Sequence, residues 1–416
     1  MRVLFTAVAG RPHLYPLVPL AWACRTAGHE VRFASSRSGT EAIIEAGLPA
    51  VLVGTGPRLT PAERADLVGD VYSQPAWPAD WAVAVDRLDD RQRALLARLG
   101  RYLVSAAEAM VDDLITFARQ WRPDIIVHDA ITYAGPVAAE VLGIPAVRHN
   151  FGSASLPRLE FGDNGPLPEY VRLFGRFGLP PVLDAAAVVE PTPPSLRFPV
   201  ETQACQDVRY IPYNGPGLSP PWLEPLRRRP RICLTWGHTS PDSAGDAAAG
   251  PYRVALDALA ATDVDLIVIS TAEQLALLGE VPPNVRTAAS VPLHFVVAHC
   301  DAIVQQGGDG TTLTAAAAGL PQLVITNKPD SEIAAGRLVS AGSGIHLHHQ
   351  RLRETPGAAE TIRLAMDRLL NDPPFRDAAT RLRAEIERQP PPSEVVGTLA
   401  RLPWSGRTPA RLATGS

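Results

Sequence analysis

Cysteine is scarce in this chain. Its 416 residues contain four cysteines, Cys24, Cys205, Cys233 and Cys300. No two of them have the CxxC spacing typical of zinc sites, and four cysteines are too few for a disulfide-rich domain. We therefore expect no metal site and a reducing, cytoplasmic environment.

The chain also lacks an excess of basic charge and any long hydrophobic run. Its formal net charge is -4, and its only tight basic run, Arg227 to Arg229, lies in a proline-rich stretch. A nucleic-acid ligand usually needs a basic stripe, so we expect none. The apolar start, Val3 to Ala9, is too short for a signal sequence or a membrane span. We expect a soluble protein that does not bind membranes.

Alternating strand and helix signals predict an α/β fold with parallel sheets. A chain of 416 residues is too long for one ordinary core, which favours two domains. The alternation stops between Phe151 and Pro225, where prolines gather, and returns at Arg231. We predict an N-terminal domain over 1–213, a linker over 214–229, a second domain over 230–388, and a return segment and tail over 389–416.

Several elements follow from the local pattern. Apolar residues at helical spacing predict that the run from Asp86 to Gln120 is helical and partly buried, and residues 151–225 are expected to be loop and then linker. We expect strands at Asp124–Asp129, Ile144–Val147, Leu266–Ser270, Asp301–Val304 and Gln322–Thr326, and helices at Gly135–Leu142 and Pro373–Arg388.

The segment from Ala302 to Arg337 reads as strand, glycine turn, helix and strand. Gly307, Gly308 and Gly310 permit a tight turn, and Thr311 and Thr312 open the helix. Unpaired N–H groups and the helix dipole favour an anion in front of such a helix. The turn therefore suits a phosphate, although the same pattern also occurs in ordinary strand-to-helix connections.

Four stretches of the chain form a specific combination: RVLFTAVAGRPHLYPLVPLAWACRTAGHEVRFAS, RPDIIVHDAITYAGPVAAEVLGIPAV, RPRICLTWG and VPLHFVVAHCDAIVQQGGDGTTLTAAAAGLPQLVI. Together they resemble the GT-B fold, family 1 glycosyltransferases of actinomycete natural-product pathways. The resemblance covers most of the chain and implies two Rossmann-like domains facing each other across a cleft.

The resemblance implies a catalytic pair on the acceptor side. His13, in the loop after the first strand, matches the family's general base for the acceptor hydroxyl. Asp129, at the end of DIIVHD, matches the carboxylate that supports that base. Imidazole suits this role because its pKa lies near working pH. His128 alternates to the other face of its strand, and we expect it to be structural.

On the donor side, the resemblance implies that Ser290 and Val291 lie beside the nucleotide base and that the glycine turn binds the diphosphate. Ser290 stands where the family usually has tryptophan, which puts base stacking in doubt. Gln305 corresponds to the family's pyrophosphate-contacting histidine and can donate a hydrogen bond but carries no charge. Phosphate binding then depends more on Gly307, Gly308, Thr311 and Thr312.

Asp330 and Ser331 match the family's Asp-Gln pair that reads sugar hydroxyls. The shorter serine is compatible with a deoxysugar donor. Asp330 has an alternative role as an N-cap of the following helix.

Further candidates lie around the cleft that the resemblance implies. Gly237 and His238 follow the first strand of the second domain, and His238 is expected either to face the diphosphate or to line the cleft. Four aromatic residues lie in stretches that the family uses around the acceptor: Trp77, Trp81, Phe151 and Phe161. Such residues suit a flat, apolar aglycone, although half or more of them are expected to be core.

The function that this resemblance implies is inverting, metal-independent transfer of a sugar from a nucleoside diphosphate, specifically a TDP-deoxyhexose, to a hydroxyl of a polyketide-type aglycone. No cofactor is expected beyond this co-substrate. Three alternatives stay open: C-glycosylation on the same fold, a catalytically weak auxiliary protein, and a nucleotide-sugar epimerase. A homodimer and an auxiliary activator protein are also left open as partners.

Overall fold

The computed structural model describes residues 1–55, 60–72, 75, 77–78, 80–155, 157–198, 205–223, 229–237, 241–278, 280–326, 328–354 and 357–402. It confirms the predicted α/β fold, because two parallel sheets each form the centre of a domain with helices around them. All four cysteines lie in these ranges, and none of them forms a disulfide. None of the described helices combines the length and apolar character needed to span a bilayer.

The first sheet occupies the N-terminal half of the chain. The strands described there are β1 (Arg2–Thr6), β2 (Glu30–Ser35), β3 (Ala50–Leu52), β4 (Ile125–Asp129), β5 (Ala146–His149), β6 (Phe161–Gly162), β7 (Gly165–Pro166), β8 (Ala187–Glu190) and β9 (Cys205–Asp207). β6 and β7 form a small antiparallel hairpin. The other strands form one parallel sheet in the order β3-β2-β1-β4-β5-β8-β9.

Helices connect these strands and cover both faces of the sheet. They are α1 (Arg11–Leu14), α2 (Val18–Thr26), α3 (Arg37–Glu45), α4 (Pro61–Tyr72), α5 (Asp90–Glu108), α6 (Val111–Trp121), α7 (Ala134–Leu142) and α8 (Pro168–Gly175), with 3₁₀ turns at Tyr15–Leu17, Val85–Arg87, Ser153–Ser155, Pro194–Leu196 and Pro221–Leu223.

The second sheet is parallel throughout, in the order β12-β11-β10-β13-β14-β15, where the strands are β10 (Arg231–Thr235), β11 (Asp265–Ser270), β12 (Val285–Ala289), β13 (Ala302–Gln305), β14 (Gln322–Thr326) and β15 (Gly344–His348). Its helices are α9 (Pro241–Ala260), α10 (Ala272–Leu278), α11 (Leu293–Val297), α12 (Asp309–Ala317), α13 (Pro329–Ser340), α14 (His349–Glu354), α15 (Ala358–Asn371), α16 (Pro373–Arg388) and α17 (Pro392–Leu399).

Both sheets reverse their strand order at one point, and that point determines where a site can form. In the first sheet the order reverses between β1 and β4, and in the second between β10 and β13. Open α/β sheets bind ligands outside the carboxyl ends of the strands at such a reversal. The central strands β4 and β10 are buried along their whole length, as expected for parallel strands that are covered on both faces.

The last helix, α17, lies against the first domain. Val395, Val396 and Leu399 belong to the same hydrophobic cluster as Leu17 and Leu20 of the first domain. Burial of these side chains supplies the hydrophobic stabilisation for this contact. The chain therefore returns to its N-terminal domain after completing the second sheet.

The prediction that Asp86 to Gln120 is helical is confirmed by α5 and α6, which are separated where the backbone of Ala109 and Met110 lies so close to Gly54 that a Cβ there would collide with it. The prediction of loop and then linker after Phe151 was wrong. The region from Phe151 to Pro225 contains α8 and the sheet strands β8 and β9. Strands of three or four residues between prolines are too short for alternation to reveal them.

Candidate active site

The loop after β1 and the end of β4 meet at the reversal point of the first sheet. His13 lies in α1, and its Nδ1 is 3.3 Å from Oδ1 of Asp129, the last residue of β4. The Asp129 side chain is fully buried, whereas 23% of the His13 side chain is exposed. Because Nδ1 faces the carboxylate, Nε2 is the ring nitrogen left to accept a proton.

A threonine fixes the second oxygen of this carboxylate. Thr132 Oγ1 donates to Asp129 Oδ2 at 3.0 Å and accepts a hydrogen bond from Val8 N at 2.8 Å. Ile131 N lies 3.4 Å from the same Oδ2. Asp129 is thus held in one orientation relative to α1. Thr132 was not among the candidates, because nothing in the sequence pattern shows which way its hydroxyl points.

Two further histidines lie beside the pair and are not suited to act as bases. Burial lowers the pKa of His128 and of His149 to about 4. Each donates through Nδ1 to the carbonyl oxygen of the next residue. Both are neutral near pH 7, and solvent does not reach them. The structural role expected for His128 fits this geometry, whereas His149 gave no signal in the sequence.

Of the four aromatic acceptor candidates, Phe151 is the one with a described ring contact to His13. Its ring meets the His13 ring edge-on, with centroids 4.7 Å apart. The Arg158 guanidinium lies instead over the ring of Phe161, with Arg158 Cζ 4.9 Å from the ring centroid. Among the described contacts none joins Phe161 to His13.

Trp77 and Trp81 do not form an acceptor surface, which corrects their assignment. They are 6% and 2% exposed, and Trp81 Nε1 donates to Pro329 O at 2.9 Å. Trp77 N donates to Glu332 Oε2 at 3.0 Å. Both tryptophans bind the start of α13 to the N-terminal domain, in a cluster that includes Ile333. Their sequence neighbourhood could not reveal a partner more than 240 residues away.

The glycine turn follows β13 at the reversal point of the second sheet. Gly307 has φ 93°, and a Cβ there would lie 2.8 Å from Ser331 Cβ, so only glycine fits. Gly308 is the N-cap of α12. The first four N–H groups of an α-helix have no acceptor within the helix, and here they belong to Gly308 and the three residues after it, which include Gly310 and Thr311. The structure therefore forms the strand, turn and helix expected of a phosphate cradle.

Gln305 does not face the cleft, and its assignment as the phosphate contact is wrong. Its side chain is fully buried and donates through Nε2 to Thr312 Oγ1 and Gln322 Oε1, both at 2.9 Å. Its Oε1 accepts from Gly307 N at 2.7 Å. Every polar atom of the Gln305 amide is thus engaged inside the domain. Thr312 points inward with it and is 2% exposed.

The neighbouring Gln306 points instead towards Gly237, in the turn after β10. Its amide lies between the turns after β10 and β13, since a Cβ on Gly237 would collide with Gln306 Nε2 and one on Gly308 would lie 3.0 Å from it. Gln306 Oε1 is buried and has no hydrogen-bond partner among the described residues. Consecutive residues at a strand end point to opposite sides, but the sequence does not say which side faces the cleft. His238, which follows Gly237, lies outside the described residues.

The candidate base-binding segment comes just before α11. Ser290 has φ 57°, and its N–H donates to Ser270 O at 3.1 Å. Val291 is partly buried against the hydrophobic cluster of this domain. The start of the predicted linker lies directly on this segment, because a Cβ on Gly217 would collide with Pro292.

Asp330 and Ser331 lie in the first turn of α13. The N-cap of that helix is Lys328, so the alternative role of Asp330 as N-cap is wrong. Lys328 Nζ lies 3.0 Å from Asp330 Oδ2. Ser331 is 2% exposed, lies against Gly307, and its Oγ has no hydrogen-bond partner among the described residues. Of the predicted pair, Asp330 is therefore the residue that is open to a ligand.

Asn214 connects the start of the linker to two donor-side helices and was missed by the sequence analysis. Its Oδ1 accepts from His294 N at 3.0 Å and lies 2.9 Å from His294 Nδ1. Its Nδ2 donates to Thr314 Oγ1 of α12 at 3.2 Å. Nearby, the ring of Tyr213 packs edge-on against Tyr15, two residues after His13. This part of the linker contacts both halves of the site.

The N-terminal domain model of the erythromycin biosynthesis protein CIII-like family matches residues 22–237, and its C-terminal domain model matches residues 253–402. The chain is 37% identical to aklavinone 7-beta-L-rhodosaminyltransferase of Streptomyces galilaeus, over 97% of this chain and 96% of that protein. It is 36% identical to 10-deoxymethynolide desosaminyltransferase of Streptomyces venezuelae, over 98% of this chain and 99% of that protein.

Among solved structures, the fold is similar to the glycosyltransferase VinC in complex with dTDP. The TM-score is 0.77 at 32% sequence identity, and the match covers 97% of this chain and 99% of that chain.

Proposed function

The chain belongs to the erythromycin biosynthesis protein CIII-like family of GT-B glycosyltransferases, and from this membership we propose that it is an inverting, metal-independent enzyme that transfers a deoxysugar from TDP to a polyketide hydroxyl. The domain division at 1–213, 214–229, 230–388 and 389–416 is part of this proposal. It assigns the acceptor to the first domain and the donor to the second.

The observation that carries the proposal is the hydrogen-bonded pair His13 and Asp129, at 3.3 Å. A histidine held through Nδ1 by a buried carboxylate presents Nε2 to an acceptor and has a partner for the imidazolium that forms. His13 Nε2 removes the proton of the acceptor hydroxyl as its oxygen attacks the anomeric carbon. The bond from that carbon to the diphosphate oxygen breaks, and TDP leaves with the electron pair. One displacement of this kind inverts the anomeric configuration.

The second part of the proposal concerns the leaving group. Amides of the first turn of α12, together with Gln306, donate to the diphosphate and stabilise the charge that develops on it. The relative with bound dTDP supports this class of nucleotide. The residues of this chain that we assign to the donor are Gly237, His238, Ser290, Val291, Gln306, Gly307, Gly308, Gly310, Thr311 and Asp330.

A deoxysugar fits the sugar end of this site. Only Asp330 of the predicted pair is open to a ligand, and Lys328 holds its carboxylate. A donor with fewer hydroxyl groups requires fewer hydrogen bonds there. The similar proteins named after a rhodosaminyl and a desosaminyl transfer support the same class. On the acceptor side, we assign Phe151, beside His13, to an apolar aglycone.

A transfer assay tests this function. The purified protein is incubated with a panel of TDP-deoxysugars and polyketide aglycones, and both free TDP and glycosylated product are measured. We expect equal amounts of the two, with the anomeric configuration of the donor inverted in the product by NMR. His13→Ala should abolish most of the turnover, and His299→Ala, at a partly exposed histidine of the second domain, should not. TDP release without an aglycone product, or a product with retained configuration, would contradict the proposal.

A further inference from the structure

The segment Gln305–Thr312 carries one charged side chain, that of Asp309. Asp309 is the first residue of α12, directly after Gly308. Its Oδ1 accepts two hydrogen bonds from Ser153, one from the backbone N at 3.0 Å and one from Oγ at 2.8 Å. Ser153 belongs to the loop after β5 in the N-terminal domain. One carboxylate oxygen therefore joins the glycine turn of the second domain to the first domain.

The contact between Asp309 and this loop is close. Gly152 has φ 151°, and a Cβ on it would collide with the Asp309 side chain. The neighbouring Phe151 is held by its own N–H, which donates to Ser155 Oγ at 2.8 Å. The ring of Phe151 then meets His13 edge-on. A short series of contacts thus leads from Asp309 to the proposed base.

The charge of Asp309 opposes the ligand that the same turn is proposed to bind. The first turn of a helix favours one anion through its free N–H groups and its dipole. A carboxylate attached to that turn already interacts with this positive end, and it repels a diphosphate placed nearby. The backbone N–H and the hydroxyl of Ser153 both donate to the carboxylate and hold it at this position. Asp309 therefore favours the interdomain contact at the expense of nucleotide affinity.

We propose that Asp309 limits how tightly the nucleoside diphosphate is held, through a carboxylate that binds Ser153 across the domain boundary and repels the diphosphate. This inference rests on the proposed function, which assigns the diphosphate to the start of α12. It makes Asp309 a determinant of product release. Loss of TDP must precede the next catalytic cycle, and a repulsive charge beside TDP speeds its departure.

Titration calorimetry with TDP on the full-length protein tests this inference. Asp309→Asn keeps an oxygen that can accept from Ser153 but removes the charge, and Asp309→Ala removes both. We expect both variants to bind TDP about 5-fold more tightly than the unaltered protein at low salt, and this gain to shrink in 1 M NaCl because salt screens the repulsion. Ser153→Ala keeps the charge and should bind TDP no more tightly than the unaltered protein. Damage to the fold would weaken binding, so a gain identifies the charge.

A matched control is Asp377→Asn, which makes the same change in net charge at an exposed position on α16 and should leave TDP affinity within twofold. If the unaltered protein binds TDP while both Asp309 variants bind it equally or less tightly, the inference is overturned and the proposed function stands. If the unaltered protein binds no TDP, the proposed donor is wrong and the inference is overturned together with it. A gain of equal size in Asp377→Asn would also overturn the inference, because net charge alone would then explain it.

Discussion

His13 Nδ1 lies 3.3 Å from Oδ1 of Asp129, whose side chain is fully buried. The pair sits where the strand order of the first sheet reverses, and the glycine turn sits at the corresponding point of the second sheet. The proposed base and the proposed leaving-group site thus come from equivalent positions of two similar domains. The loop 151–155 contacts both, through Phe151 on one side and Ser153 on the other.

Thr132→Val should lower turnover without weakening TDP binding. The variant loses the hydroxyl that donates to Asp129 Oδ2 and accepts from Val8 N, so the carboxylate that orients His13 becomes less fixed. We expect kcat to fall about 10-fold, within the effect of supporting groups around a catalytic side chain. Steady-state kinetics measure this. Thr116→Val, at an exposed threonine of α6, is the control, and equal kcat values in the two variants would contradict the assigned role.

Gln306→Ala should weaken TDP binding by about 1.5 to 3 kcal/mol, the range for one hydrogen bond to a charged group. Gln305→Ala should instead lower the unfolding midpoint, because it removes buried hydrogen bonds to Thr312, Gln322 and Gly307. Calorimetry with TDP and thermal unfolding of both variants separate the two effects. A larger loss of TDP affinity in Gln305→Ala than in Gln306→Ala would show that the assignment of the two residues is reversed.

Gly307→Ala should be destabilising, and Gly310→Ala should not. An added Cβ at Gly307 meets Ser331 at 2.8 Å, and the φ of 93° at this position disfavours any other residue. Gly310 lies inside α12, where a Cβ would meet nothing within 4 Å and alanine favours the helix. We expect the unfolding temperature to fall in the first variant and to stay the same or rise in the second. Equal melting temperatures for the two variants would argue against the tight turn.

The stability of the protein should fall below pH 6.5. Burial lowers the pKa of His128 and His149 to about 4 in the folded protein, whereas an unfolded histidine has a pKa of about 6.5. Between these values the unfolded chain binds protons that the folded chain does not. Stability that is present above pH 6.5 is therefore lost towards pH 4, by about 1.4 kcal/mol per pH unit for each histidine.

His128→Asn keeps a side-chain N–H for the Asp129 carbonyl and removes the titrating ring. Urea unfolding at pH 7.5 and pH 5.5 should show a smaller loss of stability in this variant than in the unaltered protein. His299→Asn, at a partly exposed histidine, is the control. If all three proteins lose the same stability over this interval, burial of His128 does not account for the pH dependence.

The sequence predicted those features of the fold and the site that depend on strand order and on local turns. His13 and Asp129 came from the resemblance to the glycosyltransferase family and lie at the ends of two strands that pair side by side, and the glycine turn came from a pattern within a dozen residues. Contacts that join distant segments gave no such signal. The partner of Trp81 is Pro329, and the partner of Ser153 is Asp309. Whether Gln305 or Gln306 faces the cleft also depends on packing against Thr312 and Gln322, which no local pattern encodes.

Single-turnover kinetics of His13→Ala test the central claim, that His13 is the general base, most directly. The enzyme is mixed in excess with a TDP-deoxysugar and an aglycone that the unaltered protein accepts, and product formation is followed over time. TDP affinity is measured alongside by calorimetry. The account predicts a rate about 100-fold or more below that of the unaltered protein, with TDP affinity unchanged. A rate close to that of the unaltered protein at neutral pH would contradict it.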